Sequence, residues 1–251
     1  MFTVEQRDAL RERVLALAEQ DPRVVAGAVV GSLAVGGGDR FSDLDLTFAV
    51  ADGVDVREVL DEWTRKLSDE SAAVQLVDLE SGPTIYRVFL LPDALQLDLS
   101  LTPAAQFAPT SPRFRLLFGR TAQSEAARAR EPPAAEDLFG WGVVYGLHAR
   151  ACIERGRVWQ AEHYVGAVRD RALTLACLRC GLPAVQARGY DDLPADILEL
   201  FAGTHVRSLD RDALRGALAA AVRELLHEAR NARLATAETV AQRLADLAGP
   251  P

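Results

Sequence analysis

The stretch that decides the fold runs from Val29 to Phe48 and reads VVGSLAVGGGDRFSDLDLTF. An apolar run ends in a Gly-Ser pair, a glycine-rich connection follows, and a second strand opens with two aspartates one residue apart. Side chains alternate between the two faces of a strand, so Asp43 and Asp45 should share one face. The pattern therefore predicts two adjacent carboxylates at the start of a half-buried strand.

Two adjacent carboxylates repel each other and lose hydration when they are partly buried. A cation between them offsets both costs, and Mg²⁺ prefers oxygen ligands and often binds together with nucleotide phosphates. A third carboxylate is available, because the run from Leu95 to Leu101 alternates apolar and polar residues and Asp98 lies on its polar side. We therefore expect Asp43, Asp45 and Asp98 to form a metal site that also receives a nucleotide.

Composition narrows the class of protein. The chain has 251 residues, 49% of them hydrophobic, which is enough for one large or two modest globular domains. Its formal net charge of -8 argues against a nucleic acid as the main substrate, since phosphate backbones favour basic surfaces. Lys66 is the single lysine, so the chain has no Gly-Lys-Ser/Thr phosphate loop of the kinase or ATPase type.

The sequence also bears on location. It starts with a polar segment, and no apolar run reaches the length of a membrane span. Its three cysteines are odd in number and lie in predicted helices or at their ends. These features predict a cytoplasmic protein that does not interact with a membrane.

The hydrophobic periodicity changes from strand to helix along the chain. It predicts helices over 3–20 and 55–67 and strands over 24–30, 43–50, 73–79, 84–91 and 95–101. After a linker at Glu131-Pro132-Pro133, it predicts helices over 135–154, 157–180, 193–202, 210–230 and 237–247. The fold class expected is α+β, with a strand-containing head over 1–125 and an all-α helical bundle over 126–251.

The order of these motifs resembles that of a known superfamily. The Gly31-Ser32 pair, the Asp43-x-Asp45 motif that follows it and Asp98 in a later strand are similar to the polymerase-β-type nucleotidyltransferases. Within that superfamily the chain is most similar to the small bacterial antibiotic nucleotidyltransferases, which adenylylate aminoglycosides or lincosamides. The motifs cover Val24 to Leu101, and the helical tail matches in architecture. The resemblance implies a head with a mixed β-sheet.

The resemblance also implies an activity, which is the transfer of AMP from ATP to a hydroxyl group with release of pyrophosphate. The three aspartates would hold Mg²⁺, and Asp98 is an alternative candidate for the base that takes the acceptor's proton. Gly31 and Ser32 would contact the nucleotide phosphates. The implied acceptor is a small hydroxylated molecule bound between head and tail, and the implied biological role is antibiotic resistance.

Three further residues are weaker candidates. Many relatives carry a basic residue shortly after the Gly-Ser pair, where this chain has only Ala34 and Val35, and Arg40 is the candidate substitute. On the predicted helix 157–180, Glu162 is a candidate general base or contact for an amino group. Arg169, two helical turns later, is a candidate phosphate ligand.

Two alternatives stay open at the level of the sequence. The first is adenylylation of a protein partner, as in antitoxins similar to the head, although the long helical tail counts against it. The second is a nucleotide-binding protein that has lost catalysis, which the missing basic residue after Leu33 keeps under consideration. The sequence also leaves open whether the protein forms a homodimer.

Overall fold

The computed structural model describes residues 1–122, 133–244 and 247. The chain divides into two compact units, Met1–Ala129 and Arg130–Pro251, which we call the head and the helical unit. The expected domain boundary between residues 125 and 126 lies outside the described residues, as does the expected linker except for Pro133. The domain limits therefore stay predictions.

Over residues 1–122, the head has two α-helices and six strands, which are α1 (Val4–Gln20), β1 (Val24–Val30), β2 (Leu44–Val50), α2 (Val56–Ser71), β3 (Val74–Ser81), β4 (Thr84–Leu90), β5 (Gln96–Pro103) and β6 (Phe114–Phe118). The strands form one sheet in the order β3-β4-β5-β2-β1-β6. In it β2 and β5 are parallel, whereas the other neighbouring strands are antiparallel. The predicted α+β class, with a mixed sheet in the head, is confirmed.

Polar caps set the starts of both helices in the head. The Thr3 hydroxyl accepts a hydrogen bond from the Gln6 amide at 3.2 Å, and the Gln6 side chain accepts one from the Thr3 amide at 2.7 Å. This is the capping box that the sequence predicts. Helix α2 begins after Asp55, whose carboxylate accepts hydrogen bonds from the amides of Arg57 and Glu58.

The first face of the sheet, which we call the helix face, carries the main core of the head. Alternate residues of β2 and β5, including Leu46 and Leu99, point to this face and are buried with residues of α1 and α2. The Trp63 ring of α2 packs edge-on against Phe48, with 5.3 Å between ring centroids. By alternation, Asp45 and Asp98 point to the opposite face, which we call the second face.

Over β1 and part of β2, an apolar cluster covers the second face of the sheet. Small residues of these strands form a separate apolar cluster with Phe107, which follows β5, and with Phe114 of β6. The Phe107 and Phe114 rings meet at 5.7 Å between centroids. The strand residues in this cluster are Ala26, Ala28 and Ala49.

The helical unit contains α3 (Ala135–Glu154), α4 (Val158–Arg179), α5 (Ala195–Phe201), α6 (Arg211–Asn231) and α7 (Ala237–Arg243). Helices α3, α4 and α6 bury one apolar core, and residues 133–244 include no strand, as predicted for an all-α unit. In this core the buried Glu228 carboxylate accepts two hydrogen bonds from Arg179, each 2.9 Å long. Over the described ranges, every helix is too short or too polar to cross a bilayer.

One buried carboxylate ties the helices of the head to its sheet. Asp21 follows α1, is 7% exposed, and accepts hydrogen bonds from Trp63 Nε1 at 2.9 Å and from Arg23 Nε at 2.9 Å. The hydrogen bonds from the Arg23 guanidinium hold the pKa of this carboxyl well below its usual range, and the bond from Trp63 acts in the same direction. Asp21 therefore joins the end of α1, the start of β1 and the middle of α2.

This anchor predicts a pH-dependent stability. Replacing Asp21 with Asn removes the charge that Arg23 pairs with, and we expect a loss of about 2 kcal/mol in the free energy of unfolding at pH 7. Because the folded-state pKa is lowered, the contribution is present above the ordinary Asp pKa. It should shrink as the pH falls below about 4.

Urea unfolding of the wild type and of Asp21→Asn across this pH range would measure the effect. Glu238→Gln is the control, because Glu238 pairs with Arg230 at an exposed position and its loss should change stability little. A difference between wild type and Asp21→Asn that does not shrink in acid would contradict the assigned pKa.

Candidate functional site

The pairing of β2 with β5 brings together acids that are far apart in the sequence. The two strands are parallel, with Asp45 directly opposite Asp98. Asp43 immediately precedes β2, which begins at Leu44, one residue later than the sequence suggests. Carboxylate oxygens of the three aspartates lie within 4.8 Å of one another, and each residue is partly buried. The structure therefore places the three sequence-predicted acids side by side.

The electrostatics of this cluster favour a bound cation. Burial raises the pKa of Asp98, and the neighbouring charge of Asp43 raises it further, although a 2.8 Å hydrogen bond from Gln96 Nε2 opposes the rise. Like charges at this spacing are costly to keep ionised without a counter-charge. Three carboxylates with one oxygen each in reach form an all-oxygen donor set, which is the set that Mg²⁺ prefers. The residues present therefore fit a divalent cation.

Gly31 lies directly against the acid cluster. It begins a short 3-10 turn over Gly31–Val35 and has a φ of 71°, a conformation that favours glycine. A Cβ atom at this position would overlap Asp45 Oδ2. The Gly-Ser turn is thus close enough for a ligand to touch its backbone and the carboxylates together. Ser32 is partly buried and does not cap the turn, since the residue at the N-cap position is Val30.

The segment before Asp43 is a hydrogen-bonded turn rather than an open loop. Asp39 Oδ1 accepts hydrogen bonds from the Phe41 amide at 2.8 Å and from the Ser42 hydroxyl at 3.0 Å. The Ser42 hydroxyl in turn accepts one from the Asp39 amide at 2.9 Å. These local bonds are those of an Asx turn, and they fix the backbone that leads into the first metal-ligand candidate.

Arg7 holds this turn from helix α1. Its side chain is buried, and Nη1 donates to the carbonyl oxygens of Asp39 at 2.6 Å and Ser42 at 3.2 Å. Sequence reasoning missed this residue. A signal was present, because Arg7 precedes Leu10 and Val14 at helical spacing and so occupies a core-facing position that an arginine takes only with partners.

Arg40 lies in the same turn but is exposed. Its guanidinium carbon is 4.3 Å from the centroid of the Phe41 ring, a cation–π contact. The side chain is therefore held at the surface of the turn, and the expected contact of Arg40 with phosphate stays a prediction.

The remaining two candidates belong to the helical unit. Glu162 and Arg169 are partly buried residues of α4. Arg169 Nε is 3.8 Å from the carboxylate of Asp170, and Arg169 Nη2 passes over Gly166, one turn earlier. Their expected roles, Glu162 as a base or amine contact and Arg169 as a phosphate ligand, stay predictions.

Comparison with known proteins gives structural matches only. No protein-family model and no curated protein matches the sequence. An aminoglycoside 6-adenyltransferase from Bacillus subtilis is similar to the chain at 15% identity and a TM-score of 0.36, over 94% of this chain and 90% of that chain. A nucleotidyltransferase-like protein from Exiguobacterium sibiricum has the same identity and TM-score over 89% and 75%.

The first matched protein is described as an adenyltransferase and the second as a nucleotidyltransferase-like protein. Because the identities and TM-scores are low, the function proposed below depends on the geometry of the three aspartates and Gly31.

The closeness of Gly31 to Asp45 yields a matched pair of variants. In Gly31→Ala the new methyl group should displace the Asp45 carboxylate and weaken Mn²⁺ binding, measured by electron paramagnetic resonance, by about tenfold or more. Gly36→Ala is the control, because Gly36 also has a positive φ, 73°, but has open space around its Cβ position. Equal affinities in the two variants would show that the overlap with Asp45 does not matter.

Arg7 yields a second test of the site. Arg7→Met removes the hydrogen bonds to the Asp39 and Ser42 carbonyls, and we expect a loss of about 2 kcal/mol in stability together with weaker Mn²⁺ binding. Arg11→Met on the same helix is the control, since Arg11 pairs with the carboxylate of Asp8 one turn earlier rather than with the turn at Asp39 to Ser42. Unchanged Mn²⁺ affinity in Arg7→Met would show that the turn does not affect metal binding.

Proposed function

We propose that the protein is a magnesium-dependent nucleotidyltransferase that moves AMP from ATP to a hydroxyl of a small molecule. The observation that carries the proposal is the convergence of Asp43, Asp45 and Asp98 within 4.8 Å beside the Gly-Ser turn. Keeping three adjacent, partly buried carboxylates ionised costs free energy unless a bound cation neutralises them.

The charge balance supports a phosphate-bearing substrate. Mg²⁺ held by the three aspartates would polarise the α-phosphate and neutralise the pyrophosphate leaving group. A triphosphate brings further negative charge, so it needs such a cation to approach three carboxylates. Gly31 lets the turn lie directly against the Asp45 carboxylate, so a phosphate bound by the cation would be near the turn, where Ser32 offers a hydroxyl. Arg40 is our candidate for an additional phosphate contact.

The reaction would be an in-line displacement at the α-phosphorus. The acceptor oxygen forms a bond to this phosphorus, the bond from phosphorus to the bridging oxygen of the β-phosphate breaks, and pyrophosphate leaves. The acceptor's proton goes to a base. Asp98 is our first candidate, because its carboxylate lies within 4.8 Å of those of Asp43 and Asp45 and would be beside the acceptor if these two hold the cation. Glu162 is the alternative.

The acceptor is the least constrained part of the proposal. From the motif resemblance we propose an antibiotic of the aminoglycoside or lincosamide class as the acceptor, and Arg169 of α4 stays our candidate for a further phosphate ligand. A role in antibiotic resistance and a cytoplasmic location are parts of the same proposal, and the oligomeric state stays open.

Substitution of the acids tests the proposal. Asp43→Asn, Asp45→Asn and Asp98→Asn should each lower the rate of pyrophosphate release from ATP and Mg²⁺ by about a thousandfold, because each removes part of the cation site. Release would be followed with an enzyme-coupled assay across a panel of aminoglycosides, lincosamides and simple polyols. Mn²⁺ binding to each variant gives a readout that does not depend on turnover.

Asp69→Asn is the control for these variants, since Asp69 is an exposed acid of α2 outside the cluster. A cluster variant that keeps the full rate would remove that residue from the mechanism. Binding of ATP and Mg²⁺ without turnover of any acceptor would favour a catalytically silent protein. Labelling of a co-purified protein by ATP would favour a protein acceptor.

A further inference from the structure

The second face of β3 and β4 presents an exposed apolar strip. Residues directly opposite each other in an antiparallel pair share a face, and three opposing pairs line this face. Five of the six side chains are between 40% and 59% exposed, and the sixth, Val88, is partly buried. The apolar strip consists of the pairs Val74–Leu90, Val77–Val88 and Leu79–Tyr86.

The strip is continuous with the acid cluster. In the pairing of β4 with β5, Val88 lies directly opposite Asp98 and Tyr86 lies opposite Ser100. Val88 and Asp98 therefore share the second face, one strand spacing apart, which is about 4.8 Å. A molecule whose hydroxyl reaches Asp98 can continue directly onto the strip.

The two halves of the second face differ in how far their side chains are covered. Over β1 and part of β2, Phe107 and Phe114 cover the small strand residues. Over β3 and β4 the described residues leave the large apolar side chains exposed. Exposed apolar residues that adjoin one another, next to a polar site, are typical of a binding surface rather than of scattered surface positions.

The strip also lacks the charges that a polycation would need. The acids of β3 belong to the helix face, where the Asp78 carboxylate accepts two 2.7 Å hydrogen bonds from the buried Arg87 and Glu80 pairs with Arg57. Both carboxylates are thus engaged away from the second face. The strip itself offers an approaching ligand only apolar groups and the Tyr86 hydroxyl.

We infer that the acceptor is amphiphilic, with a hydroxylated part at Asp98 and an apolar body lying along the strip. This inference rests on the proposed function and narrows its substrate class. Of the two antibiotic classes proposed above, lincosamides, which join a sugar to an alkylated proline, have such a body. Aminoglycosides, which are polycationic throughout, do not.

Paired acceptors test the inference. Pyrophosphate release should be faster with lincosamides than with aminoglycosides, and octyl β-glucoside should exceed methyl β-glucoside in kcat/KM by about a hundredfold, since the two share a sugar and differ in buried apolar area. Calorimetry with submicellar octyl and methyl β-glucoside, in the presence of Mg²⁺ and a non-hydrolysable ATP analogue, measures the same preference without turnover.

A double variant tests whether the preference for an amphiphilic acceptor arises at the strip. Val77→Thr with Leu79→Thr puts β-branched residues, which favour strands, at both positions and lowers the apolar area. It should raise KM for the amphiphilic acceptor about tenfold and leave KM for ATP unchanged. Leu200→Thr is the control, because Leu200 of α5 is similarly exposed, at 47%, and lies in the helical unit.

Three results would overturn the inference while leaving the proposed function intact. The first is a protein that binds ATP with Mg²⁺ but has equal affinities for the octyl and methyl glucosides. The second is turnover confined to aminoglycosides. The third is a dimer, seen by analytical ultracentrifugation, that the double variant converts to a monomer, since a second copy would then occupy the strip. Failure to bind ATP with Mg²⁺ at all would instead contradict the proposed function.

Discussion

The head is organised around the mutual repulsion of three carboxylates, which the strand pairing of its sheet holds close together. Parallel pairing of β2 and β5 sets Asp45 opposite Asp98, and the turn held by Arg7 brings in Asp43. The leucines that alternate with these acids are buried on the helix face, so a slip by one residue would expose them. Burial of the apolar side of the strands therefore holds the acids in place on the other side.

Much of this arrangement follows from the sequence. Alternation along Leu95 to Leu101 places Asp98 on the polar side of its strand, and the spacing of Asp43 and Asp45 gives them a common face. The capping box at Thr3 and the change from strands to helices can also be predicted from the sequence alone. Each of these features depends on residues that are neighbours in the chain.

The features that escape prediction are those that depend on distant pairing. The sequence predicts that Asp98 lies near Asp43 and Asp45, but the strand order and the parallel pairing of β2 with β5 are decided by packing of the whole head. The partners of Arg7 come from a turn far along the chain, so only its core-facing position was visible beforehand. The exposure of β3 was equally hidden, because Val74 to Leu79 is as apolar as a buried strand.

The parallel pairing has a consequence for how the head comes to be folded. Parallel strands cannot be joined by a tight turn, and the chain between β2 and β5 forms α2 and the β3–β4 hairpin before it returns. The acids thus meet only when a long loop closes, which costs chain entropy before the contact is made. A cation that binds the assembled cluster would select the fully folded head over its intermediates. Metal affinity then reports on completed folding as well as on chemistry.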